Sequence, residues 1–219
     1  MGGFEDLYPF LSPGPSDPGP VLAEVRASTL QKSREIADLR DETWKRHAEA
    51  LAAAAVLLAT ACRAGNKVLT FGNGGSATDA RDLARDLMAP PHAGWRALPA
   101  IDLTRDAAVL TAIGNDVGFD NVFVRQVIAY GAPGDVAIGF STSGQSPNVI
   151  AAFEQAQRQG VRTIGFAGYD GGRMAAPGFL DAVIVVPSSY IPRIQEAQAT
   201  AYHILLAMMQ ALLRDGEAV

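Results

Sequence analysis

The sequence predicts one α/β domain, a doubly wound parallel sheet with helices on both faces. Five short, mostly apolar runs alternate with helical segments along the chain, and apolar residues occupy both faces of the runs. Parallel strands that are buried on both faces have this composition, whereas half-exposed antiparallel strands alternate apolar and polar residues. The predicted strands are Lys67–Phe71, Leu98–Leu103, Asp135–Phe140, Val161–Ala167 and Ala182–Val186. Ligands are expected at the carboxyl ends of these strands.

Residues 1–20 read as a flexible Pro/Gly-rich arm, and residues 21–219 as the single domain. Prolines at positions 9, 13, 15, 18 and 20 disfavour regular structure in the arm. It is either a disordered tail or a segment laid over a neighbouring subunit. In the second case its possible anchors are Phe4, Leu7, Tyr8, Phe10 and Leu11.

Two helices are predicted before the first strand, Val21–Leu39 and Glu42–Ala64. Asp41 is a plausible N-cap for the second, and Gly65 a stop signal after it. The later helical segments are Ala77–Met88, Asp106–Ile113, Asp120–Tyr130, Asn148–Gln159 and Ile191–Arg214.

Composition excludes several classes of function. The 219 residues are 48% apolar and carry a net charge of −5 without a basic stretch, which disfavours nucleic-acid binding. No apolar run is long enough to cross a membrane, and no secretion signal is recognisable at the N-terminus. The single cysteine, Cys62, excludes an intrachain disulfide and fits a cytoplasmic protein.

Two Gly/Ser-rich loops between a strand and a helix indicate phosphate binding. Asn73–Gly75 follows the first strand, and Ser141, Ser143 and Ser146 follow the third, just before Pro147. Free backbone N–H groups, hydroxyls and a helix N-terminus together attract a phosphate. An ordinary turn explains the first loop equally simply when it is taken alone, whereas the three serines of the second loop favour phosphate binding over a merely capped helix start. Neither loop has the spacing of a nucleotide-binding motif, so a sugar phosphate is favoured.

The acid–base candidates lie on two helices. Asp79, Asp82 and Asp86 follow the first loop, but arginines alternate with them, and spacing alone favours an exposed, salt-bridged face. His203 lies inside an apolar helix, where a lone histidine is most often a core residue. Gln195, two turns before His203, is expected to point toward the strand ends.

Several motifs in order resemble the phosphoheptose isomerases, the sedoheptulose 7-phosphate isomerases of the sugar isomerase (SIS) class. The resemblance covers roughly residue 40 to the end and rests on several long motifs rather than one loop. The motifs are Gly72-Asn73-Gly74-Gly75-Ser76, Leu110-Thr111-Ala112-Ile113-Gly114-Asn115-Asp116, Gly134-Asp135, Ser141-Thr142-Ser143-Gly144-Gln145-Ser146-Pro147-Asn148-Val149, Gly168-Tyr169-Asp170-Gly171-Gly172 and Arg193-Ile194-Gln195-Glu196.

The resemblance implies a three-layer αβα sandwich with a five-stranded parallel sheet, and a homotetramer with active sites at subunit boundaries. It implies His203 as an acid–base residue and zinc ligand. The implied substrate-binding residues are Asn73, Gly74, Gly75, Asn115, Asp116, Ser141, Thr142, Ser143, Ser146 and Gln195.

The chain departs from the family pattern on the helix after the first loop. Where the family has a histidine and then its presumed base, a glutamate, this chain has Asp82 and Asp86. A divalent metal site would then consist of Asp82, Asp86, Gln195 and His203. The family metal is zinc, and the two aspartates shift the donor set toward harder metals.

The expected activity is ketose–aldose isomerisation of sedoheptulose 7-phosphate to a heptose 7-phosphate through an enediolate. Asp86 is the expected base, and His203 moves protons on the oxygens. One alternative is an isomerase of an octulose 8-phosphate in a specialised biosynthetic pathway. The other is a non-catalytic SIS module that binds a sugar phosphate or a protein partner.

Overall fold

The computed structural model describes residues 18–215 and is built on a five-stranded, fully parallel sheet. Strands β1 to β5 are Val68–Gly72, Ala100–Asp102, Val136–Ser141, Arg162–Ala167 and Ala182–Val185. Their order across the sheet is β2-β1-β3-β4-β5. The central pair β1 and β3 is in register from Val68 opposite Val136 to Gly72 opposite Phe140. The predicted parallel sheet is confirmed.

Six α-helices are described, together with two short 3₁₀ turns at Phe119–Asn121 and Gly172–Ala175. Helices α1 to α6 are Pro18–Arg63, Gly75–Met88, Ala107–Val117, Val124–Tyr130, Pro147–Arg158 and Ile191–Asp215. No helix within residues 18–215 is both long and apolar enough to cross a membrane.

Each face of the sheet is covered by its own apolar layer. Val68, Val136 and Ile138 point to the side where the second half of α1 packs with α2 and α6. Leu69 and Ala137, the alternate residues on the same strands, pack against α4 and α5 on the other side. Because both faces are covered, every residue of β1 and β3 is buried. The result is the three-layer αβα sandwich that the sequence predicts.

The first helix differs from its prediction. The expected break near Asp41 is wrong, because α1 runs from Pro18 to Arg63 and bends only at His47, where φ is −124°. Asp41 pairs with Lys45 one turn on, which supports a continuing helix rather than a new N-terminus. Of the predicted arm, residues 1–17 lie outside the described residues, and Pro18 already belongs to α1.

The chain divides into two units, Met1–Ala37 and Asp38–Val219. From Pro18 to Ala37 the first unit is a largely exposed helical segment. The second unit contains the whole sheet and is the part of the molecule in which the candidate site lies.

The edge strand β2 is shorter than predicted. The Leu98 N–H donates to the Leu87 carbonyl at the end of α2 (2.8 Å), so it is not available to the sheet. At the other end, the Asp102 carboxylate accepts from the backbone N–H of Thr104 and starts a turn. The pairing with β1 reaches one residue beyond each end of β2, because the Val68 N–H donates to the Pro99 carbonyl (3.0 Å) and the Leu103 N–H to the Thr70 carbonyl (2.9 Å).

The amino edge of the sheet is held by an ion pair between the buried Asp135 carboxylate and the partly exposed Lys67 side chain. The Asp135 carboxylate accepts from Lys67 Nζ (2.6 Å), from the Lys67 N–H (3.0 Å) and from the Ala132 N–H (2.8 Å). A buried carboxylate with several donors is well compensated. Asp135 thus stabilises the start of β1 and β3, at the edge opposite to the two Gly/Ser loops.

Candidate active site

The two Gly/Ser loops meet where the strand order reverses. β1 and β3 are neighbours although β2 lies between them in sequence, and such a switch point opens a crevice at the carboxyl ends of the strands. The side-chain amides of Asn73 and Asn148 hydrogen-bond to each other in both directions, at 2.8 and 2.9 Å. The loop after β1 is thereby joined to the first turn of α5.

The loop after β1 is shaped by glycine. Gly74 is the N-cap of α2 with φ +55°, a left-handed conformation that favours glycine. Gly75 faces Gln195, whose amide would overlap a Cβ at that position. Ser76 lies buried within α2 and is not its N-cap. Because Gly75 has no side chain, the amide of Gln195 on α6 lies directly against the backbone of this loop.

The loop after β3 is a cluster of hydroxyls. Ser141 Oγ lies 2.9 Å from Ser146 Oγ and 3.4 Å from Ser143 Oγ, while the Gln145 N–H donates to Ser143 Oγ. Pro147 begins α5 directly after this cluster. Three convergent hydroxyls at a helix N-terminus suit a phosphate. Ser143 and Gln145 also line an open pocket of about 600 Å³ with Tyr169, Asp170 and Ser188.

Asp79 is a site residue that spacing does not single out. Its carboxyl interacts with the Gln195 amide, and its Oδ2 is buried with no hydrogen-bond partner in the described part of the chain. Burial raises the pKa of Asp79 to about 6, the Asp82 carboxylate adds to the rise, and the Gln195 amide opposes it. Tyr202 also faces Asp79, and burial together with the nearby aspartates raises the pKa of its hydroxyl.

Replacing Asp79 by asparagine is expected to stabilise the protein at alkaline pH. With its pKa raised to about 6, the Asp79 carboxyl favours the folded state below pH 4 and loses that contribution as pH rises through 6. An asparagine does not ionise. The melting temperature of Asp79→Asn should therefore exceed that of the natural protein by roughly 2 °C or more at pH 8. In thermal melts the difference should shrink toward pH 4, and an equal difference at both pH values would contradict the role of ionisation.

Asp86 and His203 face each other between α2 and α6. Asp86 Oδ2 lies 3.4 Å from His203 Nε2, and the Asp86 side chain is 9% exposed. Both residues line a pocket of about 420 Å³ together with Arg85, His92 and Trp95. The predicted acid–base pair is therefore brought together, with the carboxylate buried and the imidazole open to the pocket.

Arg85 joins the two aspartates of α2. Its guanidinium lies 3.0 Å from Asp82 Oδ1 and 3.1 Å from Asp86 Oδ1. The hydrogen bond to Asp86 raises the pKa of Arg85 above its usual value, and the charges of Asp82 and Asp86 add to the rise. The salt-bridged face that the spacing favoured is thus present. Asp86 takes part in it through Arg85 and also contacts His203, so it is a member of the acid–base pair as well.

The four predicted metal ligands are not assembled as one donor set. Across residues 18–215 the structure contains no group of three or more His, Cys, Asp and Glu side chains that could hold a metal ion. Asp82 and Asp86 each give an oxygen to Arg85. Gln195 lies against Gly75 and Asp79, about two helical turns from His203 on α6. The side chains present do not fit a metal ion in this arrangement.

The remaining predicted substrate contacts fall in two places. Thr142 lies in the loop after β3, and its backbone carbonyl accepts from the Gly168 N–H (2.8 Å). Asn115 and Asp116 lie on α3, with exposed side chains that hydrogen-bond to each other (2.9 Å). Helix α3 has no buried residue although it is apolar over most of its length. These two residues thus face away from the core of their own chain.

Sequence reasoning assigned no contact to Asn148 or Arg85, and it grouped Asp79 with the other acid–base candidates without giving it a role of its own. A signal existed for Asn148, because side chains in the first turn of a helix lean toward its N-terminus, and α5 begins at Pro147 directly after the loop that follows β3. Arg85 gave none, and Asp79 was not set apart from Asp82 and Asp86, since polar residues at helical spacing are ordinary on an exposed face.

Comparison with known proteins identifies the family. A model described as SIS domain matches residues 33–168. The phosphoheptose isomerase of Geobacter sp. (strain M21) is 43% identical over 190 residues, which cover 87% of this chain and 96% of that protein. The one from Pelobacter propionicus is 48% identical over 159 residues, covering 73% of this chain and 83% of that protein.

Solved structures agree with the sequence relatives. The phosphoheptose isomerase of Neisseria gonorrhoeae superposes with a TM-score of 0.78 at 35% identity, covering 85% of this chain and 99% of that one. The Francisella tularensis enzyme gives 0.76 at 31% identity, covering 84% and 97%. The chain therefore belongs to the SIS domain family and, within it, to the phosphoheptose isomerases.

Proposed function

We propose that this protein is a phosphoheptose isomerase that converts sedoheptulose 7-phosphate to a heptose 7-phosphate. The observation that carries the proposal is the Asp86–His203 pair, placed on a frame more than 40% identical to phosphoheptose isomerases. A buried carboxylate beside an imidazole can remove and return a proton next to a carbonyl. The hydroxyl loop after β3 supplies a phosphate anchor on the same edge of the sheet.

The phosphate is assigned to the Ser141–Ser146 loop. Hydroxyls of Ser141, Ser143 and Ser146 and the N-terminus of α5 would donate hydrogen bonds to it. Binding energy from this non-reacting end of the sugar then positions the reacting end. Asn73, Gly74 and Gly75 border the sugar chain, and the Gln195 amide reaches the same loop.

The reaction transfers one proton between neighbouring carbons. Asp86 takes a proton from C1 of the ketose, which leaves a cis-enediolate over C1 and C2. The same carboxyl returns the proton to C2, and the aldehyde forms at C1. Asp86 Oδ2 is the oxygen available for this step, since Oδ1 accepts from Arg85. His203 moves the second proton, from the oxygen on C1 to the oxygen on C2.

The test of the function is turnover of purified protein with sedoheptulose 7-phosphate, followed by detection of the aldose. We expect turnover, with a lower kcat/KM for an octulose 8-phosphate because the phosphate would sit one carbon further from the reacting end. Binding of the heptulose phosphate without any turnover would contradict the proposal and favour a non-catalytic module. Faster turnover of the eight-carbon ketose would contradict the substrate assignment alone.

We further propose a homotetramer with active sites at subunit boundaries. In support, α3 is apolar yet has no buried residue in its own chain, and Val117 at its end and Phe119 just beyond it are 49% and 62% exposed. Asn115 and Asp116 on α3 would then meet a substrate held by a second copy. Sedimentation equilibrium should give four chains per particle, and a fully active monomer would contradict this arrangement.

A further inference from the structure

The side chain of Arg85 occupies a central place among the acidic residues of α2. Its NH1 lies 3.0 Å from Asp82 Oδ1, and its NH2 and Nε lie 3.1 and 3.2 Å from Asp86 Oδ1. A planar guanidinium that meets two carboxylates is a fixed positive charge with directed N–H groups. A permanent cation therefore lies beside the proposed base.

Arg85 hydrogen-bonds to carboxylate oxygens that a metal ion bound here would need as ligands. A divalent metal at this place would need oxygens of Asp82 and Asp86, and one oxygen of each already accepts from Arg85. The other oxygen of Asp86 faces His203 at 3.4 Å. A metal would also bring its own positive charge next to the guanidinium, which is unfavourable at such short range.

Arg85 is also placed to reach a bound substrate. Its side chain is 63% exposed and lines the pocket of about 420 Å³ that contains Asp86 and His203. N–H groups that are not directed at the aspartates can point into that pocket. There they would face the oxygen on which negative charge develops in an enediolate.

We propose that Arg85 replaces a metal ion at this site, by taking up the oxygens of Asp82 and Asp86 and by stabilising the enediolate with its own charge. The part of the proposal that concerns the enediolate rests on the proposed isomerase function. The part that concerns metal binding does not, because it depends only on which groups the two aspartates contact.

The first experiment measures metal binding and needs no activity. Purified, chelator-treated protein is titrated with zinc chloride in a calorimeter, and bound zinc is counted by elemental analysis. Zinc bound at this site is defined as the zinc that a protein loses when the Asp86→Asn substitution is introduced into it. We expect none for the natural protein and about one ion per chain for Arg85→Ala, in which both carboxylates are released. Arg85 is exposed on a helix, so alanine there should leave the fold intact.

The second experiment measures turnover. Prolonged treatment with EDTA should leave the activity of the natural protein unchanged, while Arg85→Ala should lower kcat by roughly 10²- to 10³-fold. Arg85→Lys keeps the charge without the planar fork and should recover part of the loss.

Two results would overturn the proposal. One is Asp86-dependent zinc in the natural protein, or activity that chelation removes and zinc restores. The other is an Arg85→Ala variant that gains no zinc and keeps its kcat. If the protein shows no isomerase activity at all, the proposed function fails, and the zinc titration still decides whether Arg85 excludes a metal.

Discussion

Asp86→Asn is expected to lower kcat of the isomerisation by roughly 10²- to 10⁴-fold, the usual size of a general-base contribution. Asparagine has nearly the same shape, and its carbonyl oxygen can still accept from Arg85. What it loses is the ability to take a proton from carbon. KM for sedoheptulose 7-phosphate should change little, because the phosphate anchor lies in the loop after β3.

Asp82→Asn is the matched control for this variant. Asp82 lies one turn earlier on the same helix and pairs with the same arginine, but His203 faces Asp86 instead. We expect a loss of less than about tenfold for Asp82→Asn, since the pair between Asp82 and Arg85 is largely exposed. Equal losses in both variants would contradict the assignment of Asp86 as the base.

Gly144→Ala is expected to destabilise the fold and to weaken phosphate binding together. Gly144 has φ +65°, and a Cβ at this position would overlap the backbone carbonyl of Gly171. The left-handed backbone costs a non-glycine residue about 1–2 kcal/mol, and overpacking typically adds about 1–3 kcal/mol. Because a backbone group cannot rotate away, the loop that carries Ser143 and Ser146 must shift. Urea unfolding and KM for sedoheptulose 7-phosphate measure the two effects.

Gly65→Ala is a control that measures the free-energy cost of the left-handed backbone without the cost of a steric overlap. Gly65 has a similar φ of +79°, but nothing lies within 4 Å of a Cβ built there, and the residue follows α1 rather than a site loop. This variant should show the backbone cost alone and an unchanged KM. If Gly144→Ala destabilises no more than Gly65→Ala and leaves KM unchanged, the assigned packing of the loop is wrong.

Local chemistry explains why much of the fold was predictable. The apolar runs around Val68 and Val136 are too short for helices and too uniformly apolar for half-exposed strands, so a covered parallel sheet is the simplest solution. The break near Asp41 was predicted wrongly, because an N-cap requires a non-helical backbone at the capping residue itself, and α1 continues through Asp41 as a helix.

The sequence predicts those site residues whose place follows from the course of the backbone. Loops after β1 and β3 must meet once the strand order is known, and this places Asn73 and Ser141 on one edge. The contacts of Arg85 depend on rotamers of three long or charged side chains, which helical spacing does not determine. The roles proposed for Asn115 and Asp116 involve another copy of the chain, and no pattern within one chain describes such a surface.

The paired amides of Asn73 and Asn148 affect how the molecule responds to a ligand. Each side chain is donor and acceptor to the other, so rotation of either one breaks two hydrogen bonds at the same time. On its other side, the same loop touches Gln195 through Gly75. Any displacement of the first turn of α5 would therefore have to carry the loop before α2 with it, so these two hydrogen bonds tie the phosphate anchor to the helix that bears Asp86.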